Sequence, residues 1–367
     1  MKIGAKSYRT IWRSEDGHSV DIIDQTLLPH AFKIHKLKTL EDVATAIRTM
    51  QVRGAPLIGV TAAYGIALAL HTDPSNAFLE KAIQTLALQR PTAVNLRWAL
   101  DHMRSVVLKV PEIKRSSFAF EEAERLAQND VASCKAIGEH GIKIIRQIAE
   151  DKGRDTPVHI LTHCNAGWLA CVEWGTATSP IYHAQDAGIP VHVYVDETRP
   201  RNQGAALTAY ELGSYGVPYT LICDNAGGHL MQTNKIDLVI VGADRVTAHG
   251  DVANKIGTYL KALAAWDNNR IPFYVAMPHS TIDWGLKDGK NIPIEERSET
   301  EVLEVSGRTK EGQLVSISIA PRECRAENPA FDITPARFVT GFITERGVCS
   351  ASREGLLELY PEKKTLI

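Results

Sequence analysis

Short apolar runs recur through the second half of the chain, at Val158–Leu161, Val191–Val195, Tyr219–Ile222, Leu238–Val241 and Phe273–Ala276. They are rich in β-branched and aromatic residues and are separated by helix-length stretches. This rhythm predicts βαβ units and a parallel sheet buried on both faces. The first 150 residues have a helical rhythm instead. Thr39 stands as an N-cap before Glu41-Asp42, and Val43, Ala46, Ile47 and Met50 then share one face. After Arg53-Gly54-Ala55-Pro56, a second helix from Leu57 to about His71 is apolar nearly all round, as expected of a buried helix. A longer amphipathic pattern from Glu121 to Ala149 predicts a helix interrupted near Gly138 or Gly141. The charged stretch Glu150–Pro157, which holds Gly153 and closes on proline, marks a domain boundary. The expected fold class is α/β: a mainly helical N-terminal domain over 1–153, then a domain with a mostly parallel sheet over 154–367. The polar segment Asp283–Gly312 is expected to be an irregular surface excursion.

Composition narrows the partners. The 367 residues carry 41 Lys+Arg against 43 Asp+Glu, a net charge of -2. Such a balance gives no general pull toward nucleic acid or anionic lipid, so any phosphate recognition must be local. A hydrophobic fraction of 44% with 23% charged residues excludes a disordered or collagen-like chain. The six cysteines, Cys134, Cys164, Cys171, Cys223, Cys324 and Cys349, form no C-x-x-C pair, and the histidines form no H-E-x-x-H. Neither a zinc ribbon nor a thioredoxin-type site is expected, and the thiols suit a reducing compartment. The uncharged stretch Gly54–Thr72 holds Pro56, three Gly and two Thr, and reads as a core helix, not a membrane span. Met1-Lys2-Ile3-Gly4 leads into polar residues, and a soluble, cytoplasmic protein is expected.

The chemistry-bearing residues cluster just after the apolar runs. The five runs end in Thr162-His163-Cys164-Asn165-Ala166-Gly167, Asp196–Gly204, Cys223–Gly228, Gly242-Ala243-Asp244-Arg245 and Pro278-His279-Ser280-Thr281. Ligands in open α/β sheets bind outside the carboxyl ends of the strands, so these clusters should converge on one crevice. Each residue alone also reads as a helix cap, a turn or, for Cys164, a small buried hydrophobe. Between a strand end and a helix start, however, the Cys164 thiolate would feel the helix N-terminus, which lowers a cysteine pKa. Asp244 stands between apolar Val239–Val241, whose burial would raise its pKa, and Arg245, which would lower it. Arg53-Gly54-Ala55, Arg90-Pro91-Thr92 and Asn254-Lys255 each set a cation beside free backbone N–H groups, a means of holding phosphate. There is no G-x-G-x-x-G, no G-x-x-x-x-G-K-[ST] and no G-x-S-x-G. The residues thus indicate an α/β enzyme without cofactor or metal, acting on a small phosphorylated molecule. Cys164 and Asp244 are its acid–base candidates, and no nucleic acid or membrane is expected as partner.

Several segments carry a family resemblance. Arg53–Gly59, Arg90–Leu96, Thr162–Gly167, Asp196–Gly204, Val241–Arg245, Gly250–Tyr259 and Asn328–Pro335 resemble the methylthioribose-1-phosphate isomerase family, in order, over most of the chain. That family shares a wider group with ribose-1,5-bisphosphate isomerase and the regulatory subunits of eukaryotic translation initiation factor 2B. The resemblance implies a Rossmann-like C-terminal domain, a homodimer, and aldose-to-ketose conversion of S-methyl-5-thioribose 1-phosphate in methionine salvage. It further implies that Arg53, Gly54, Ala55, Arg90, Gln203, Asn254 and Lys255 bind substrate. Asp244 would be the proton donor and Cys164 the second catalytic group. Leu57, where Ala is commoner, and Gln89 before Arg90 depart from the pattern without touching this chemistry. An enediol route with Cys164 as base and a direct hydride shift both remain open. So does a related substrate, 5-deoxyribose 1-phosphate or ribose 1,5-bisphosphate. A non-catalytic regulatory role predicts loss of the Cys164–Asp244 pair, and both are present. For a methylthio group, the stretch Leu57–Leu70, Trp168 and Trp174 are candidates for an apolar lining.

Overall fold

The computed structural model describes residues 1–4 and 6–366. A ribbon of β1 (Lys2–Ile3) and β2 (Lys6–Ser7) leads into an antiparallel sheet of β3 (Ile11–Arg13), β4 (Val20–Ile23) and β5 (Ile34–Leu37). Their shortness hides them in the sequence. Even so, Ile11, Val20, Ile22 and Leu37 are buried against the next helices of the chain.

Those helices are α1 (Leu40–Arg48), α2 (Ala55–Thr72), α3 (Asn76–Ala87), α4 (Val94–Val107) and α5 (Glu112–Lys152). Thr39 caps α1 as expected: its hydroxyl accepts the Asp42 N–H at 3.1 Å while the Asp42 carboxylate accepts the Thr39 N–H at 3.0 Å. Helix α2 is long and apolar enough to cross a membrane, but its residues from Leu57 to Leu70 are all buried in the protein core. Helix α5 corrects an expectation, for it runs 41 residues without a break. Its glycines serve packing instead. A Cβ on Gly138 would lie 2.3 Å from Ser179 Oγ, and one on Gly141 2.4 Å from Pro180 Cγ, so both let α6 (Ser179–Asp186) approach closely. The front of α5 packs Phe120 and Leu126 into the helical core, and its rear packs Ile137 and Ile145 against the central sheet.

From here strands and helices alternate: β6 (Val158–Thr162), α6, β7 (Val191–Asp196), α7 (Ala209–Tyr215), β8 (Tyr219–Ile222), α8 (Ala226–Gln232), β9 (Leu238–Val241), β10 (Arg245–Thr247), β11 (Val252–Lys255), α9 (Thr258–Asp267), β12 (Phe273–Ala276) and β13 (Ile282–Asp283). Then come α10 (Thr300–Leu303), β14 (Glu304–Arg308), β15 (Leu314–Ser318), β16 (Phe331–Thr334), β17 (Gly341–Thr344), β18 (Gly347–Cys349) and α11 (Arg353–Leu359). The central sheet has the order β18-β17-β12-β9-β6-β7-β8 and is parallel except for β18. All five strands expected from the sequence are in it. Alternate residues face opposite cores: Val158, Ile160 and Ile240 pack with α5 and α6, while Leu161, Val239 and Val241 pack with α8 and α9. From β6 the chain winds outward through β7 and β8, then returns to start again at β9 on the other side. The switch point therefore falls between β6 and β9.

A second sheet has the order β13-β10-β11-β16. The segment Asp283–Gly312 is also more ordered than expected. It begins in β13, passes through a turn at Gly289–Asn291 and α10, and enters the β14–β15 hairpin.

Candidate active site

Cys164 and Asp244 come just after the neighbouring strands β6 and β9, one on each side of the switch point. They share one cavity with Arg53, Gly54, Ala55, Arg90, Gln203 and Lys255. Asn254 joins Arg53, Cys164 and Asp244 in the adjoining inner recess. All nine residues expected at the site thus come together; of the cluster after β12 only Pro278 reaches the recess, and the cluster after β8 does not reach it. Outward, past Arg53 and Gln203, the cavity opens into a cleft of ≈ 570 Å³ walled on the far side by the β14–β15 hairpin.

Arg53 and Arg90 come just before helix starts, and Lys255 ends strand β11. Helices α2 and α4 begin at Gly54 and Ala93 with no side chain capping either one, and both ends line the cavity. Their free N–H groups and dipoles favour an anion there. Gly54 is required by shape. Its φ is 95°, and a Cβ would fall 2.5 Å from Ala170. Arg53 is aimed by the residue after the thiol: its guanidinium donates to the Asn165 side-chain oxygen and, at 2.9 Å, to the Asn165 carbonyl. Arg90 donates twice to Glu295 Oε2, at 2.9 and 3.2 Å, and Glu295 also accepts from Arg297. Burial raises the Glu295 carboxyl, but Arg90 and Arg297 outweigh it and leave it below the ordinary range. Arg245 steadies the same corner by donating to the Thr92 carbonyl at 2.8 Å.

Burial sets the protonation of the central groups. Cys164 is 7% exposed, and burial pushes its thiol up despite Arg53 and Lys255 nearby. The helix-dipole expectation is therefore corrected. Cys164 leads into a loop and a three-residue 3₁₀ turn, Trp168–Ala170, so desolvation wins. Burial also raises Asp244, against the pull of Lys255, Arg90 and Arg53; the neighbouring Arg245 is turned to Thr92. Burial lowers Lys255, whose ammonium lies 5.0 Å from the Phe331 ring centroid. Two groups biased toward holding a proton face one biased toward releasing it, a suitable setting for acid–base chemistry. Gln203 is buried with its side-chain oxygen unpartnered, ready to accept from a ligand hydroxyl.

Several supporting residues have no individual signal in the sequence. Glu211 on α7 is buried and accepts from Asn165 Nδ2 (2.9 Å), the Trp168 and Leu169 N–H groups (3.0 and 2.9 Å) and Tyr182 Oη (3.0 Å). It binds the loop after Cys164 into one shape. His163 places Nδ1 2.8 Å from Asp196 Oδ2 and Nε2 2.8 Å from the Ile256 carbonyl, tying the Cys164 strand to the Lys255 strand. Lys261 completes that group at 3.1 Å from Asp196. Trp168 and Trp174 pack into the core beneath the sheet, and of the stretch Leu57–Leu70 only Ile58 reaches the cavity. The apolar lining comes from Met50, Ile58, Ala93, Ile292, Pro293 and Phe331.

A doubly wound sheet with a thiol, a carboxyl and three cations gathered at its switch point is the arrangement of an α/β enzyme for a small anionic substrate. The model of the initiation factor 2 subunit family matches residues 51–351. A methylthioribose-1-phosphate isomerase of Methylorubrum populi is 62% identical over 99% of both chains, and that of Rhizobium meliloti 61% over 99% of this chain and 100% of its own. The crystal structure of 5-methylthioribose 1-phosphate isomerase from Pyrococcus horikoshii is 41% identical, with a TM-score of 0.82 over 97% of both chains. The chain belongs to the initiation factor 2 subunit family and, within it, to the methylthioribose-1-phosphate isomerases.

Proposed function

We propose that the chain is an aldose–ketose isomerase that converts S-methyl-5-thioribose 1-phosphate to S-methyl-5-thioribulose 1-phosphate, a step of methionine salvage. The observation that carries this reading is the placement of Cys164 and Asp244 on opposite sides of one switch point, in one cavity with Arg53, Arg90 and Lys255. The phosphate is held by Arg53, Arg90, Lys255 and the open starts of α2 and α4. Gln203 and Asn254 take sugar hydroxyls, and the apolar wall of Met50, Ile58, Ile292 and Phe331 receives the methylthio end.

In the enediol route, protonated Asp244 gives its proton to the ring oxygen as the C1–O bond breaks. Cys164, as thiolate, removes the proton from C2, and the electron pair forms the C1–C2 double bond. The new thiol then protonates C1, and the C2 hydroxyl returns its proton to Asp244. Both residues finish as they began. In the hydride route the hydrogen of C2 moves to C1 with its electron pair, and only Asp244 exchanges a proton. Positioned acid–base groups contribute ~10²–10⁴-fold.

The reading extends to a cytoplasmic homodimer, with a helical unit to residue 153 and a Rossmann-like catalytic unit beyond it. Exposed Leu260, Leu263 and Trp266 on α9 support self-association. The test is turnover by the purified chain of the 5-methylthio, 5-deoxy and 5-phospho ribose 1-phosphates. Preference for the first supports the proposal, and preference for the bisphosphate overturns the substrate. Run in heavy water, solvent deuterium at C1 of the product marks the enediol route, and full retention of the C2 hydrogen marks the hydride shift.

A further inference from the structure

The cluster after β12, Pro278-His279-Ser280, lines a different cavity, one of ≈ 170 Å³ enclosed by α2, α4 and α5. None of the nine residues of the candidate active site borders it. Asn95 on α4 is 2% exposed and faces this space. Its Nδ2 donates to Ser280 Oγ at 2.9 Å, yet its Oδ1 has no partner. A buried amide oxygen left without a donor is costly, and a ligand N–H would satisfy it. Asp130 on α5 also lines the cavity, one of its oxygens holding the Val172 N–H at 2.7 Å and the other accepting from the Cys134 thiol at 4.0 Å. Three aromatic rings complete the lining. Trp98, 40% exposed, stacks on His102 with centroids 5.8 Å apart and an interplanar angle of 15°, and meets His279 edge-on at 6.1 Å.

A buried acceptor beneath exposed, stacked rings suits a planar ring that carries an N–H donor. A cavity of about 150 Å³ holds a benzene ring, so this one admits one ring of a heterocycle and leaves Trp98 to cover the rest. We propose that the cavity binds a planar nitrogen heterocycle of purine type, its N–H donating to Asn95 Oδ1 and its ring lying against Trp98.

Adenine is the probe, with benzene as a ring of similar shape that has no N–H. Calorimetry on the full chain should give saturable adenine binding and much weaker benzene binding, and a soaked crystal should place adenine against Asn95 and Trp98. Trp98→Ala should weaken adenine about tenfold or more, as loss of a stacking partner does. Asn95→Leu should abolish binding; the surface Trp98→Ala variant and the soaked crystal decide the matter if Asn95→Leu does not fold. No saturable binding at millimolar adenine overturns the proposal. So does equal binding of benzene, an affinity unchanged in Trp98→Ala, or adenine found in the Arg53 cleft instead.

Discussion

The backbone N–H of Cys164 donates to Oγ1 of Thr198 at 2.8 Å, and both residues sit in the left-handed region, with φ of 64° and 66°. For a β-branched threonine that conformation is strained, and it persists because the surroundings hold it. Asp224 accepts the N–H groups of Thr198 and Arg199, both at 2.7 Å, while the Thr198 hydroxyl donates to the Asp196 carbonyl at 3.0 Å. The ends of β6 and β7 are thus locked together at the thiol. Thr198→Val leaves the Cys164 N–H buried without an acceptor. Turnover should fall about tenfold with little change in KM, and Thr198→Ser should restore it. Equal kinetics in the valine and serine variants would show that Thr198 does not position the thiol.

Arg53 touches the candidate site through charge, and its guanidinium is fixed by Asn165. Arg53→Ala should raise KM about tenfold or more, the scale of one lost charge-assisted hydrogen bond, and change turnover less. Steady-state kinetics check this, and an unchanged KM takes Arg53 off the phosphate.

Gly54 has no room for a methyl group. Gly54→Ala sets a Cβ against Ala170 at a φ of 95°, so the start of α2 must move. A loss of ~2 kcal/mol or more in chemical unfolding is expected, with weaker substrate binding. Wild-type stability in this variant would contradict the geometry.

Burial pushes Asp130 up to about 7, from an ordinary value of 3.8. Between those values the unfolded chain gives up this proton and the folded chain keeps it. The stabilising contribution is therefore complete at low pH and is lost as pH rises through about 7. Asp130→Asn has no such proton to lose. Relative to wild type, the variant should gain on the order of 2–4 kcal/mol between about pH 4 and about pH 8, measured by urea unfolding. Parallel pH profiles would show that Asp130 ionises freely.

The parallel strands β6, β7, β8, β9 and β12 are legible in the sequence as apolar runs, fully buried in Leu238–Val241 but largely exposed in β8 at the sheet edge; the parallel β17 is not legible. Their polar ends reveal the chemistry because, in this topology, the residues just after β6 and β9 must meet. The strands β3 to β5, β10, β11 and β16 are not legible, because three or four residues of mixed polarity carry no period. Contacts between distant segments are equally hidden. Nothing local in Glu295 indicates that it holds Arg90, and Glu211 reads as an ordinary helix residue although it anchors the Cys164 loop. Cys164 itself is legible by its place after a strand, but its protonation is not. The expected helix start is a 3₁₀ turn, so burial decides its titration.

The central claim is that Cys164 and Asp244 carry the isomerisation. Its most direct measurement is turnover of S-methyl-5-thioribose 1-phosphate by the wild-type, Cys164→Ser and Asp244→Asn proteins at saturating substrate. Wild type should yield the ketose product, and each variant should turn over at least ~10²-fold more slowly with substrate still bound. Near-normal turnover in both variants would contradict the claim.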